Sequence, residues 1–200
     1  MDLDQVRKNL ESRGFRARVF RTASEAADYL DSVIDGTAVS FGGSVTLQQM
    51  GLAERLEKHN EMPDYWNVPE GADADDVRKR SMYCEVYACS VNAMSENGEI
   101  VNIDGTGNRV AGTIFGHRRL YLVVGRNKIM PDLPSAIDRA RNVASPLNAK
   151  RLNRHTPCVV DLRCHDCRSP ERICRALSIH MAPTKSTDTE VLLIDEDLGL

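Results

Sequence analysis

Aromatic residues are scarce in this 200-residue chain, at 5%, with a single Trp. That leaves little surface on which nucleic-acid bases could stack. An excess of charge is also lacking: the net charge is −3 and the sequence pI about 6.0, so there is no basic footprint for nucleic acid or an anionic membrane. No apolar run approaches the ~18 residues that a membrane helix needs. The opening Met-Asp-Leu-Asp-Gln-Val-Arg-Lys is charged and amphipathic and has no apolar signal-peptide core. No internal repeat or low-complexity linker interrupts the chain. These absences predict a cytoplasmic protein with no membrane span and no nucleic-acid partner. Hydrophobic residues at 42% and charged residues at 28% are ordinary for a globular protein, and the length suits one domain with a real core.

Cysteine, by contrast, is concentrated. Four of the six fall between Cys158 and Cys174, in Cys-Val-Val-Asp-Leu-Arg-Cys-His-Asp-Cys-Arg-Ser-Pro-Glu-Arg-Ile-Cys, with spacing C-x5-C-x2-C-x6-C. In a reducing compartment such a cluster reads as metal or redox ligands before disulfides. Cys164 and Cys167 form one tight knuckle, and Cys158 and Cys174 close it from either side. Tetrahedral thiolate sets suit zinc and iron–sulfur clusters alike. A zinc ribbon has two separated knuckles, whereas one knuckle with two local singletons is closer to a cluster-binding loop, although the spacing matches neither common ferredoxin run. The favoured ligand is a [4Fe–4S] cluster on Cys158, Cys164, Cys167 and Cys174. Zinc is the alternative, and a redox disulfide or metal-free thiols remain open; His165 is a possible substitute ligand. Cys174 is expected in the first turns of a helix that starts near Pro170.

The remaining pattern alternates helix and strand. Leu3, Val6 and Leu10 fall at helical spacing over 2–13, with Gly14 as the stop. Residues 15–20 alternate as a strand, and Thr22-x-x-Glu25 is a capping box for a helix burying Ala26, Tyr29, Leu30 and Val33. Residues 37–41 read as a buried parallel strand. Leu47, Met50, Leu52 and Leu56 mark the next helical segment. A loop with a short strand at Tyr65–Val68 and a polar helix at 72–82 follow. Cys84 and Cys89 flank an apolar strand as inert buried thiols. Asn97-Gly98 turns a hairpin, 110–115 is helical, and Leu120–Val124 is the clearest buried strand. Helices are expected over 133–143 and 171–179, and Val191–Ile194 is the last strand. The fold class is therefore α/β: a single domain over 1–200, with a mostly parallel sheet flanked by helices and a cysteine-rich loop at 156–175.

Three places carry possible binding chemistry. Gly42-Gly43-Ser44 joins a strand to a helix, a layout that offers backbone N–H groups to an anion, or else a tight turn with Ser44 as a plain N-cap. The loop from Asp104 to Arg109 supplies a carboxylate, amides, a hydroxyl and a guanidinium beside a helix start, or else a hydrogen-bonded turn. Its Gly105-x-Gly107 lacks the third glycine of a dinucleotide fingerprint. Lys128 follows the 120–124 strand at the end where ligands gather in α/β sheets, with surface snorkelling as the alternative. Asp104, Arg109 and Lys128 are the candidate catalytic residues, with Asp104 the candidate general base. Gly42, Gly43, Ser44, Asn92 and Asn108 are candidate ligand-binding residues. The ligand expected is a small anion, either a 2-hydroxy acid or a phosphorylated metabolite.

Four blocks together resemble the lactate-utilisation (LUD) domain family: Phe-Gly-Gly-Ser-Val-Thr-Leu at 41–47, the long Ser-Val-Asn-Ala-Met-Ser-Glu-Asn-Gly-Glu-Ile-Val-Asn-Ile-Asp-Gly-Thr-Gly-Asn-Arg-Val-Ala at 90–111, Val-Val-Gly-Arg-Asn-Lys-Ile at 123–129, and Arg-Asn-Val-Ala-Ser-Pro-Leu-Asn-Ala-Lys-Arg-Leu at 141–152. The cysteine loop resembles a feature of one single-domain branch. The resemblance implies a fold similar to sugar-phosphate isomerases and CoA transferases. It also implies a link to lactate oxidation beside iron–sulfur or flavin partner subunits, and a shared cleft for the turn at 42–44 and the loop at 104–109. A homo-oligomer is a further possibility. Three functions stay in view: an iron–sulfur electron-transfer protein acting in lactate or related 2-hydroxy-acid oxidation, a non-redox enzyme on an anionic metabolite, and an accessory module with structural zinc.

Overall fold

The computed structural model describes residues 1–63 and 70–200, so the expected strand at 65–68 lies outside the described residues. The chain opens with α1 (Leu3–Ser12), β1 (Arg16–Phe20) and α2 (Ala23–Val33), followed by β2 (Val39–Phe41), α3 (Val45–Gln49) and α4 (Leu52–Leu56). The middle holds α5 (Ala74–Ser81), β3 (Val86–Ser90), β4 (Ala93–Ser95), β5 (Ile100–Asp104), α6 (Asn108–Ile114) and β6 (Arg119–Gly125). A 3₁₀ turn at Arg126–Lys128 leads into β7 (Ile129–Met130), α7 (Leu133–Arg139), a π turn (Ala140–Ala144) and α8 (Ser145–Arg151). The last elements are α9 (Cys158–Asp161), β8 (Ala176–His180) and β9 (Asp188–Ile194).

The helix starts follow local chemistry. Asp2 accepts the Asp4 and Gln5 N–H groups, and Thr22 accepts that of Glu25 at 3.2 Å while the Glu25 carboxylate takes the Arg21 N–H at 2.8 Å. Ala26, Ala27 and Leu30 carry the burial on α2, with Tyr29 and Val33 only partly covered.

Five strands form a wholly parallel sheet in the order β1-β9-β6-β3-β2. Alternation along each strand divides the core into two layers. Val86, Ala88, Tyr121, Val123, Leu192 and Ile194 face α2, α3 and α4. Tyr87, Cys89, Leu120, Leu122, Val124, Val191 and Leu193 face α1 and a second, four-stranded sheet. That sheet runs β7-β4-β5-β8, built on the hairpin that turns at Asn97-Gly98, and packs its far face on α7 through Ala93, Val101, Ile103, Ala136 and Ala140. The α/β expectation therefore holds for the main sheet. One of its faces is covered largely by a second sheet, with α1 and with α6, whose Gly112 lies against the Tyr87 ring of β3, and β2 is buried although it lies at the sheet edge.

Two expectations about the C-terminal half are corrected. The helix that starts at Leu133 does not stop at 143 but runs on through Pro146 to Arg151. The π turn makes this possible: the Ser145 N–H reaches back to the Ala140 carbonyl, and the wider turn lets a residue without an N–H sit in the helix. The predicted helix over 171–179 is also overturned. Residues 176–180 form β8, paired antiparallel to β5 from Ile100 opposite His180 to Asp104 opposite Ala176, and Cys174 precedes it in irregular chain. Without β8, one edge of β5 would leave its N–H and C=O groups unpaired.

Candidate functional site

The carboxyl ends of β2, β3 and β6 lie side by side, and the chain that leaves them builds one cleft. From β2 come Gly43 and Ser44, from β3 Ser90 and Asn92, from β6 Lys128; α6 adds Arg109 and α8 adds Asn148 and Arg151. An inner chamber of about 40 Å³ is lined by these groups and joins an outer one of about 270 Å³ through shared walls at Gly43, Asn92, Arg109, Asn148 and Arg151. Asp104, Asn108, Arg78 and Arg154 line the outer chamber.

Lys128 is the most buried charged residue of the cleft at 3% exposed, so it does not snorkel. Its Nζ donates to Thr46 Oγ1 at 3.0 Å and Ser90 Oγ at 2.9 Å, and no carboxylate pairs with it among the described residues. Burial, followed by the charges of Arg139 and Arg109, pushes this amine down to about 7. Arg139 is buried beside it and is itself pushed down by burial; it donates to the Asn127 carbonyl at 2.9 Å and the Asn92 carbonyl at 2.6 Å.

Arg109 donates to Asn92 Oδ1 at 2.8 Å and to the Ile103 carbonyl. Gly42 makes room for it: a Cβ there would lie 2.9 Å from Arg109 Cγ and 2.7 Å from the Tyr87 hydroxyl. Gly42 thus stands behind the cleft and admits the arginine without lining either chamber. Ser44 caps α3, its Oγ accepting the Leu47 N–H at 3.2 Å, and its side of the inner chamber is a short turn. Asp104 has both oxygens committed to backbone, accepting the Thr106 N–H at 3.2 Å and the Val110 N–H at 3.0 Å. It therefore holds the 104–109 loop and the start of α6.

The structure thus brings Gly43, Ser44, Asn92, Asp104, Asn108, Arg109 and Lys128 around one cleft. Sequence reasoning missed Thr46, Ser90, Asn148 and Arg151. The last two had a legible signal: Ala144, Asn148 and Arg151 recur at helical spacing on one face of the 141–152 block.

The cysteine loop docks against the outer chamber. The Arg175 N–H donates to the Asp104 carbonyl at 2.9 Å, Ile173 lines the chamber, and a Cβ on Gly105 would stand 2.8 Å from the Ile173 carbonyl oxygen. Cys164 and Cys174 share a neighbouring pocket of about 300 Å³ with Arg141, Asp166, Arg172 and Arg175. Arg172 ties the loop together through the Cys174 carbonyl at 2.8 Å, the Cys167 carbonyl at 2.7 Å and the Asp166 carboxylate at 3.0 Å. Cys164 Sγ takes the Asp166 N–H at 3.5 Å and an Arg141 N–H at 3.9 Å, and Cys158 Sγ lies 3.2 Å from Thr156 Oγ1. His165 pairs with Asp161 at 3.0 Å, and all four thiols are free. Thiols flanked by N–H donors and guanidinium groups match, in donor chemistry, a thiolate-held group that carries negative charge. They are not gathered into a cage: among the described residues no three His, Cys, Asp or Glu side chains stand together at ligand spacing. Cys84 and Cys89 are buried elsewhere, their thiols pushed up by burial, that of Cys89 to about 12.

Comparison with known proteins identifies the family. The LUD domain matches residues 3–194, nearly the whole chain, and the protein belongs to that family, the lactate-utilisation family that its motifs resemble. Among solved structures it is similar to a DUF162 family protein from Deinococcus radiodurans, with a TM-score of 0.54 at 8% identity over 96% of this chain and 95% of that one. At that identity the likeness establishes a shared fold. No curated protein matches the chain. Among the described residues, no helix is long and apolar enough to cross a membrane.

Proposed function

We propose that the protein binds a small carboxylate, a 2-hydroxy acid such as lactate or its 2-oxo counterpart, in the cleft over β2, β3 and β6, and takes part in its oxidation. The observation that carries this reading is charge: Arg109 and Arg151 line the inner chamber beside the Lys128 amine, and among the described residues no acidic side chain does, in a protein whose net charge is −3. Asp104 lines the outer chamber and accepts a backbone N–H on each oxygen. Arg109 and Arg151 supply charge-assisted hydrogen bonds to a carboxylate. Ser44, Asn92 and Asn148 offer neutral partners for the 2-oxygen, and the Lys128 amine lies innermost.

Cys158, Cys164, Cys167 and Cys174 would hold an iron–sulfur cluster, whose chemistry is to take up and pass on one electron at a time. Support for this part comes from the local thiol set, the guanidinium groups of Arg141 and Arg172 beside it, and the Ile173–Cys174 segment at the wall of the cleft. Electrons would then leave to an iron–sulfur or flavin partner subunit. A second reading has its own observation: Arg78, Arg109, Arg151 and Arg154 all line the outer chamber, a charge that suits a phosphorylated metabolite.

Thermal unfolding with lactate, pyruvate and phosphorylated three-carbon acids tests the cleft. A true ligand at about 100 times its Kd adds about 2.7 kcal/mol to stability. Arg109→Met should remove that shift, and no shift with any of these acids would refute the reading. Iron, sulfide and zinc content of anaerobically purified protein tests the loop. About four irons and four sulfides per chain support the cluster, while about one zinc and no colour would replace it with a structural metal.

A further inference from the structure

We propose that the Lys128 amine is a nucleophile that forms an imine with the carbonyl carbon of a 2-oxo acid seated in the inner chamber. The inference rests on reading the cleft as a carboxylate site and deepens it. A lysine present for structure pairs with an acid or reaches for water. Lys128 does neither, being 3% exposed with only the hydroxyls of Thr46 and Ser90 as partners among the described residues. Those hydroxyls are 3.2 Å apart and hydrogen-bonded to each other. They satisfy two N–H donors, the number a neutral amine possesses, and leave its lone pair uncommitted. Gly199 covers the same group from another side: a Cβ there would fall 2.8 Å from Nζ, so only backbone fits over the amine. The guanidinium of Arg139 packs behind, and that of Arg109 shares the chamber.

The step balances without any further reagent. The amine lone pair bonds to C2 of the oxo acid, and the carbonyl electrons move onto its oxygen, which takes up a proton. The resulting carbinolamine expels that oxygen as water, so amine, carbonyl and one proton yield a protonated imine and water. Thr46 and Ser90 lie where they can pass protons to the departing oxygen, and Arg109 and Arg151 hold the carboxylate. With burial holding the amine at about 7, its neutral fraction at neutral pH exceeds that of an ordinary lysine by roughly 1000-fold.

The test treats the full chain with pyruvate and sodium borohydride, which reduces an imine to a stable secondary amine, followed by intact mass and peptide mapping. Thermal stabilisation by pyruvate alone is measured in parallel. The expected result is one adduct per chain, on Lys128 ahead of Lys8, Lys58, Lys79, Lys150 and Lys185, with none in Lys128→Met. Stabilisation by pyruvate with Lys128 unmodified would overturn the imine and leave the carboxylate site standing. Neither stabilisation nor adduct would overturn both. Labelling spread evenly over the lysines would also refute a special role for Lys128, and because mapping is done on the wild-type chain, this outcome does not depend on the variant folding.

Discussion

Replacing Lys128 by Met makes the protein's stability respond differently to pH, and the size of the change follows from the site. Burial lowers the folded-state value of this amine to about 7 from 10.5. Between those limits the unfolded chain carries a proton on Lys128 that the folded chain has released, so the unfolded state binds more protons and stability rises with pH. Below about pH 7 both states are protonated, and the buried charge is a constant burden. Across the whole window the term amounts to about 5 kcal/mol, since each unit of difference is about 1.4 kcal/mol. Between about pH 7 and 8.5 it is about 1.6 kcal/mol.

The assay is urea unfolding of wild type and Lys128→Met at closely spaced values in that interval. Taking the difference removes the titrations both proteins share, including the buried thiols Cys84 and Cys89, which begin to oppose stability at higher pH. Met fills most of the volume, and Thr46 and Ser90 keep their mutual hydrogen bond. Lys128→Met should therefore be the more stable protein near pH 7, with wild type closing the gap as pH rises. A stability difference that stays flat from about pH 7 to 8.5 would refute the idea that Lys128 is buried without an acidic partner.

Other perturbations separate positioning from binding. Arg139→Met leaves the Asn92 and Asn127 carbonyls without their donor, and should lose about 2–3 kcal/mol in chemical unfolding while moving the Lys128 midpoint upward, because a neighbouring positive charge is gone. Gly112→Ala drives a methyl to 2.7 Å from the Tyr87 ring inside the core and should lower stability by about 1–3 kcal/mol; an unchanged melting temperature would mean that α6 does not pack closely on β3. Asp104→Ala removes the acceptor for Thr106 and Val110 and should weaken ligand-induced stabilisation in proportion to a fold loss of about 1–2 kcal/mol, with Asp104→Asn recovering part of both.

What the sequence disclosed and what it hid divide along contact range. Strand faces, the Thr22 cap, the Asn97-Gly98 hairpin and the placement of Lys128 after β6 rest on neighbours in the chain, and all were legible. The small sheet was not, because β8 becomes a strand only by pairing with β5, more than seventy residues earlier. Read locally, residues 171–179 carry enough charged and aliphatic residues to suggest a helix. The continuation through Pro146 was hidden for a related reason: proline signals a stop, and only the π turn at 140–144 removes the conflict. Arg151 could be seen as one of several basic residues, but its place in the cleft depends on that uninterrupted helix.

The same long-range pairing gives the molecule its functional layout. The β5–β8 ladder brings the end of the cysteine loop back beside Asp104, and the Arg175 N–H on the Asp104 carbonyl fastens it there. Asp104 is thus shared: its carboxylate shapes the loop that presents Arg109 to the cleft, and its carbonyl anchors the segment that follows Cys174. Ile103, one residue earlier, lines both the outer chamber and the pocket of Cys164 and Cys174. A change of packing in the loop, such as gathering four thiolates around one group, has to be accommodated at this wall. Loading of the loop should therefore alter carboxylate affinity in the cleft, and linkage requires the ligand to alter loading by the same factor. Equal pyruvate affinity in wild type and in a Cys164→Ser, Cys167→Ser double variant, with iron present in one and lost from the other, would show that the two sites are neighbours without being coupled.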